Sequence, residues 1–441
     1  MSDALDVRIE WLEAPGVTTP ELAKTWARYE IWVGNRCVTQ VEASPGTFRR
    51  SVYGSLYPLA EWVARNWWVL NYHIRPSAVE SRYWAWGNCD IYPWLKQHNL
   101  RGAGDGMAWP DLTMVPEGAV TRLSWHPDDD YSLWPIRFAS GGGILARASE
   151  VSEGLAGIVE EVLGRLAEES LPKTSLAEEW DAVARADQDE QEFCRAVARL
   201  GIDPYAVSDQ TAEEVIAVAS ELPAELVSDF FDSADASGLH DAAEWTRRAV
   251  AGAERASGKA TASLLPLFEV AAAEDLGVGR ALEVGQPWTI GFAMARQVRR
   301  YLDVSELDQF DVSPWVAVGG VRGPSRGVQG IAAVREGRCG LVLGESALGG
   351  SASRFGRARA LGRVLARPDQ QHFVLSRAHG HDERIAGAFA AELLAPADGI
   401  RQCLDAIGSY GDAAIDAVAR QFKVSSLLVQ HQFNNQIARA T

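Results

Sequence analysis

Residues 354–396 read RFGRARALGRVLARPDQQHFVLSRAHGHDERIAGAFAAELLAP. The spacing R-F-x-x-A-x-x-L-G-x-x-L from Arg354 predicts one helix. E-x-x-A-x-x-F-A-A-E-L-L-x-P from Glu383 predicts a second, stopped before Pro396, with a loop between the two. Arg359 and Arg363 stand i, i+4 on the first helix. They therefore leave one face of it together, and two like charges so placed call for an anion.

The rest of the chain sets the frame. A length of 441 residues is more than one core usually holds, so several domains are expected. An apolar fraction of 47% describes a folded protein rather than a disordered one. The opening MSDALDVRIEWLEAPG has no basic region followed by an apolar run, and no stretch nears the roughly 18 apolar residues of a membrane span. Five scattered cysteines without a C-x-x-C pair fit free thiols in a reducing compartment. A cytoplasmic, membrane-free protein is expected, and the excess of arginine over lysine with abundant alanine suggests a GC-rich bacterial source.

Charge and texture change together along the chain. Net charge is −2 over residues 1–148, −20 over 149–311 and +5 over 312–441. An acidic whole excludes a chain built mainly to bind nucleic acid. Residues 1–148 hold twelve of the sixteen tryptophans, with a Gly34-Asn35 turn between strand-like runs and one helix over SLYPLAEWVARNWWVLNYHI. They read as a tryptophan-rich α/β domain, with Asp128-Asp129-Asp130 as a polar turn. Residues 149–311 show helical periodicity and form an acidic helical domain. Residues 312–441 return to α/β. The glycines around Gly319, Gly320, Gly323 and Gly327 lack phosphate-loop spacing. Gly344-Glu345-Ser346 lacks the second glycine of a nucleophile elbow. The close, AIDAVARQFKVSSLLVQHQFNNQI, has the grammar of a helix-turn-helix, where Arg420, Lys423 and His431 would be the groups to touch DNA.

Taken with GFAMARQVRRYLDV, the short strands and this closing segment, the two helices around Arg354-Phe355, Leu361-Gly362 and Phe389–Pro396 resemble the ImmA/IrrE family of metallo-endopeptidases over residues 285–435. The resemblance implies a small zincin-like α/β C-terminal domain and a regulatory role toward repressors or antitoxins. It also implies an H-E-x-x-H motif on the first helix and a third zinc ligand at Glu383. Here those five positions are Arg359, Ala360, Leu361, Gly362 and Arg363. Guanidinium has no lone pair for a metal and alanine moves no proton. No catalytic residue and no zinc are therefore expected at this motif.

The expected function is that of a non-catalytic pseudopeptidase, a regulator or scaffold binding a protein partner such as a repressor, antitoxin or defence component. The setting would be stress response, phage defence or a toxin–antitoxin system. Glu383, the former third ligand, is expected to pair with one or both arginines and leave a recognition groove beside them. Two alternatives stand beside this. One is an active hydrolase with a non-standard site, either a relocated metal set at His379, His381 and Glu383 or a site in the N-terminal domain, and the other is a DNA-binding regulator using the C-terminal helices.

Overall fold

A computed structural model describes residues 4–14, 16–44, 46–74, 92–128, 136–272, 286–345 and 349–438. Asp129, Asp130 and Ser346 lie outside the described residues. The chain is a mixed α/β protein in two compact units, residues 1–208 and 209–441. No described helix is long and apolar enough to cross a membrane.

The first unit is built on antiparallel strands. β1 (Leu5–Trp11) pairs along its length with β2 (Trp26–Val33), which also takes β3 (Arg36–Cys37) and, further along the chain, β6 (Val52–Ser55). Gly34 holds φ +56° between β2 and β3, the left-handed geometry that a two-residue hairpin turn asks of its first position. β4 (Val41–Ser44) sits between β5 (Thr47–Arg49) and β9 (Arg137–Phe138). β8 (Val120–His126) sits between β7 (Asp111–Pro116) and β10 (Gly142–Arg147). Besides the short α1 (Pro20–Lys24), the helices of this unit are α2 (Tyr57–Arg65), α3 (Trp67–Tyr72), α4 (Tyr92–His98), α5 (Ala148–Glu168), α6 (Ser175–Arg185) and α7 (Gln188–Arg199). The single long helix expected from SLYPLAEWVARNWWVLNYHI is broken at Asn66, whose amide side chain donates back to the Trp62 carbonyl at 2.8 Å. Side-chain capture of a backbone acceptor competes with helix continuation in just this way. Trp62, Trp109 and Trp125 are buried in the main core of this unit, as their clustering predicts.

The second unit surrounds a four-stranded sheet of order β11 (Val316–Gly319), β13 (Arg338–Leu343), β12 (Gly330–Arg335), β14 (His372–Leu375). β11 runs parallel to β13, while β12 is antiparallel to both its neighbours. Its helices are α8 (Asp209–Glu221), α9 (Ala224–Phe231), α10 (Leu239–Ser257), α11 (Leu265–Ala272), α12 (Pro287–Tyr301), α13 (Gly350–Ala366), α14 (His381–Leu394), α15 (Ala397–Ile407), α16 (Asp412–Phe422) and α17 (Ser426–Gln432). A π-helical turn follows at Phe433–Ile437.

The acidic helical stretch, expected as a domain of its own, is thus divided. α5, α6 and α7 fall in the first unit, while α8 to α12 belong with the sheet of the second. The reason lies in the helix faces. Leu155, Val159 and Val162 of α5 are buried in the same core as the first unit's strands. Gly340 of β13, where a Cβ would stand 1.9 Å from the Ala253 carbonyl, lets α10 lie directly on the second unit's sheet. Acidic side chains of α10 then meet basic ones from the turn before β12 and from β12 itself within one unit. Asp241 pairs with Arg326 at 3.2 Å and Glu254 with Arg335 at 3.8 Å.

Candidate functional site

α13 and α14 pack face to face because glycines remove the side chains that would hold helices apart. A Cβ on Gly362 of α13 would meet the Phe389 ring at 2.8 Å, and one on Gly291 of α12 would meet the Ile385 carbonyl at 2.4 Å. The glycine of Leu361-Gly362 is therefore a packing residue, with Leu361 and Phe389 both fully buried. This close approach brings the former motif on α13 against the start of α14.

Arg359 donates to Glu383 Oε2 at 2.5 Å, to Gln329 Oε1 at 2.6 Å and to the Ser376 carbonyl at 2.5 Å. The other oxygen of Glu383 accepts from the Ser376 amide at 2.8 Å. Both partners are largely buried, at 14% and 10% side-chain exposure. Arg363, 3% exposed, takes different partners: Asp382 at 2.9 Å and Asp229 of α9. Arg367 donates to Asp382 at 3.0 Å. Three guanidinium groups thus face three carboxylates, and the cluster is formally neutral.

The electrostatics follow from that arrangement. Burial works against the Arg363 cation, but Asp229, Asp382 and Glu383 outweigh it and hold the group protonated beyond its ordinary range. Burial lifts the Asp382 carboxyl, yet Arg363 and Arg367 overcome this and leave it below the usual carboxylate value. Burial also lifts Asp229, opposed by Arg363.

Of the residues singled out in the sequence, Arg359, Arg363 and Glu383 are brought together. Ala360, between them in sequence, is fully buried in the apolar core of sheet and helices and takes no part in the cluster. His379, His381 and Glu383 are not joined into a metal set. Among the described residues no group of three or more His, Cys, Asp or Glu side chains could hold a metal ion, and both oxygens of Glu383 are engaged by Arg359 and Ser376. His381 is buried at the first turn of α14, where its field reaches Asp382. His372 lies between two carboxylates, Glu225 of α9 at 2.5 Å and Glu254 of α10 at 3.1 Å.

Beside the ion cluster, where a groove was expected, α9 packs at the Arg363 end. It sends Asp229 to Arg363 and Glu225 to His372, and its Phe230 and Phe231 are buried. An open groove of about 630 Å³ lies elsewhere in the unit, between α12, the first turns of α13, α14 and α17. Its walls include Trp288, Phe292, Phe355 and Leu427 over a floor of Gly387, Ala388 and Ala391. None of the ion-cluster side chains lines it.

The closing helices do form a helix–turn–helix pair. Lys423 takes φ +53° at the turn, and the Ser425 hydroxyl caps α17 through the Leu428 amide at 3.2 Å. Arg420 and Lys423 are exposed at the end of α16, and His431 is exposed on α17 at the groove. α17 is anchored from within: Gln432 donates to buried Glu392 at 2.8 Å and to the Ala395 carbonyl at 3.1 Å.

Sequence reasoning missed Asp229, Asp382, Arg367 and the groove. Arg367 carried a signal, since it extends the Arg359/Arg363 row by one more i+4 step. Asp229 carried none, being 134 residues from its partner. No family model, no curated protein and no solved structure matches this chain.

Proposed function

We propose that this chain is a non-catalytic pseudopeptidase of the ImmA/IrrE type, a cytoplasmic regulator or scaffold that binds a protein partner without cutting it. One observation carries the reading: the positions that would supply the two zinc histidines hold arginines tied into a neutral ion cluster, and the general-base position is a buried alanine. Arg359 and Arg363 offer no lone pair to a metal. Both oxygens of Glu383 are engaged by Arg359 and the Ser376 amide, and Arg363 and Arg367 hold the Asp382 carboxyl below its usual value, which makes it a poorer base. What the cluster can do is join α13, α14 and α9 through charge-assisted hydrogen bonds. Chemistry at this place has been exchanged for structure, and binding is the function that remains.

A repressor, an antitoxin or a defence component would then be held rather than degraded. Capture with the tagged full chain in its native host tests this. A protein recovered in stoichiometric amount with the parent supports it. Recovery of no protein at that level would remove it.

A further inference from the structure

We infer that the open edge of β1, in the groove it shares with α5, takes up an extended basic peptide as an added strand. The site lies in the first unit. It therefore stands or falls apart from the pseudopeptidase reading, which concerns the second.

Backbone parity comes first. The Ala4 carbonyl accepts from the Gly34 amide at 3.1 Å, and the Leu12 amide donates to the Trp26 carbonyl at 2.9 Å. Along an antiparallel pair residues alternate between facing the partner strand and facing away. Asp6, Arg8 and Glu10 thus turn their amides and carbonyls to β2, while Leu5, Val7, Ile9 and Trp11 turn theirs outward. β1 ends the strand order of its sheet. Among the described residues, the outward groups of Val7, Ile9 and Trp11 meet no backbone partner. A row of such groups is a template for one more strand.

α5 gives that strand a bed. Gly154 lets the helix close on the Leu5 carbonyl, which a Cβ would approach to 2.4 Å. At the other end of β1 the Arg165 guanidinium lies 5.7 Å from the Trp11 ring centre. The helix therefore follows the strand along its length, and the groove of about 580 Å³ between them is linear. Buried Ile158 and half-buried Val7 and Ile9 give it an apolar floor. At Gly157, one turn beyond Gly154, a Cβ would meet nothing within 4 Å, so side chains of an incoming strand have room there.

Charge selects the occupant. Of the ionisable groups lining the groove, Arg8 is held by Asp6 at 3.3 Å. Glu153 and Glu161 are exposed, and among the described residues neither has a cation. They stand i, i+8 on α5, about 12 Å apart along the axis. Four residues of an extended strand span ~13 Å, and alternate side chains share a face. The occupant accordingly carries lysine or arginine at i and i+4, with an apolar residue at i+2 over Ile158 and Gly157. The same glutamates disfavour a second copy pairing β1 to β1, which would bring two acidic helices together.

The test is selection of random displayed heptapeptides on the full chain, then affinities of the enriched sequence as a synthetic peptide. Enriched sequences should show the basic, apolar, basic pattern at i, i+2 and i+4. Val7→Pro removes an outward amide and leaves the β1–β2 ladder whole, as edge positions allow. It should weaken binding roughly tenfold, the loss of about one hydrogen bond. Glu153→Lys with Glu161→Lys, both at exposed positions, should turn the selection toward acidic peptides. N-methylating the peptide one residue at a time should weaken binding at every second position only, because only those amides face β1. This series needs no variant of the protein, so it decides the matter even if Val7→Pro misfolds in circular dichroism. No enrichment, N-methyl effects that do not alternate, or selection unmoved by the glutamate reversal overturns the proposal. So does a dimer in light scattering that Val7→Pro abolishes, which would make a second copy the occupant.

Discussion

Replacing Glu383 by alanine should cost about 3 kcal/mol of stability in the second unit, the low end of what removing one member of a buried pair costs. The figure follows from the contacts. The pair is largely buried, at 14% and 10% exposure, so the Arg359 charge would remain in a poorly solvated place. Arg359 keeps two acceptors, Gln329 and the Ser376 carbonyl, which hold the cost below the upper end of that range. The Ser376 amide loses its acceptor as well. Arg359→Met should be similarly costly, because it strands Glu383. The double variant should be milder than the sum of the two, with a coupling of about 2–3 kcal/mol for groups in direct contact. Urea unfolding of the full chain gives these numbers, with amide exchange in α13 and α14 assigning the transition to the second unit. If Glu383→Ala costs under about 1 kcal/mol, the pair behaves as a solvent-screened surface bridge, and the argument that it joins the two helices is refuted.

Three further outcomes follow from the same geometry. Asp382 is held below the ordinary carboxylate value, so its contribution is present above the unfolded value of about 3.9 and fades as pH falls through the folded one. Asp382→Asn should therefore destabilise by roughly 2–3 kcal/mol at neutral pH, and the gap to the parent should close below about pH 4, where the unfolded carboxyl is protonated. Asp229, lifted by burial, works in the opposite sense, which is why the difference between parent and variant, rather than the parent's own acid curve, is the quantity to read in urea melts across pH. Gly387→Ala should stabilise by about 0.5–1 kcal/mol, as removing a helix-interior glycine does, whereas Gly291→Ala should lower Tm because its Cβ would press on the Ile385 carbonyl. The triple change Arg359→His, Ala360→Glu and Arg363→His puts a carboxylate at fully buried Ala360 and strands Asp229 and Glu383. It should melt well below the parent without metal and gain Tm on adding zinc; a triple variant as stable as the parent in chelator would contradict the arginines' role as the joining element.

Helix periodicity on either side of the loop placed α13 and α14 because glycine and alanine spacing there is dictated by helix contact. Their facing was expected from the resemblance, which puts a former third ligand at Glu383; that carboxylate sits on Arg359, while Arg363 takes Asp382 and Asp229. The strand-like runs around Gly34 were equally legible, since a left-handed turn position leaves few residue choices. The domain boundaries were less so. Charge counts marked residues 149–311 as one body, but burial and not charge decides which core a helix joins, so the stretch divides at Ser208. Asp229 was invisible because a single aspartate on an acidic helix looks like any other until folding places it beside Arg363. The groove was hidden for a related reason: it is made by four segments, and only Gly387, a glycine inside a strong helical pattern, hinted at it.

The central claim is that this domain binds its partner and leaves it whole. Its most direct test is intact-mass measurement of the captured partner after incubation with the full chain, with added zinc and, in parallel, with chelator. The account predicts one unaltered partner mass under both conditions. A partner cut at a defined bond with zinc, and spared with chelator, would contradict it.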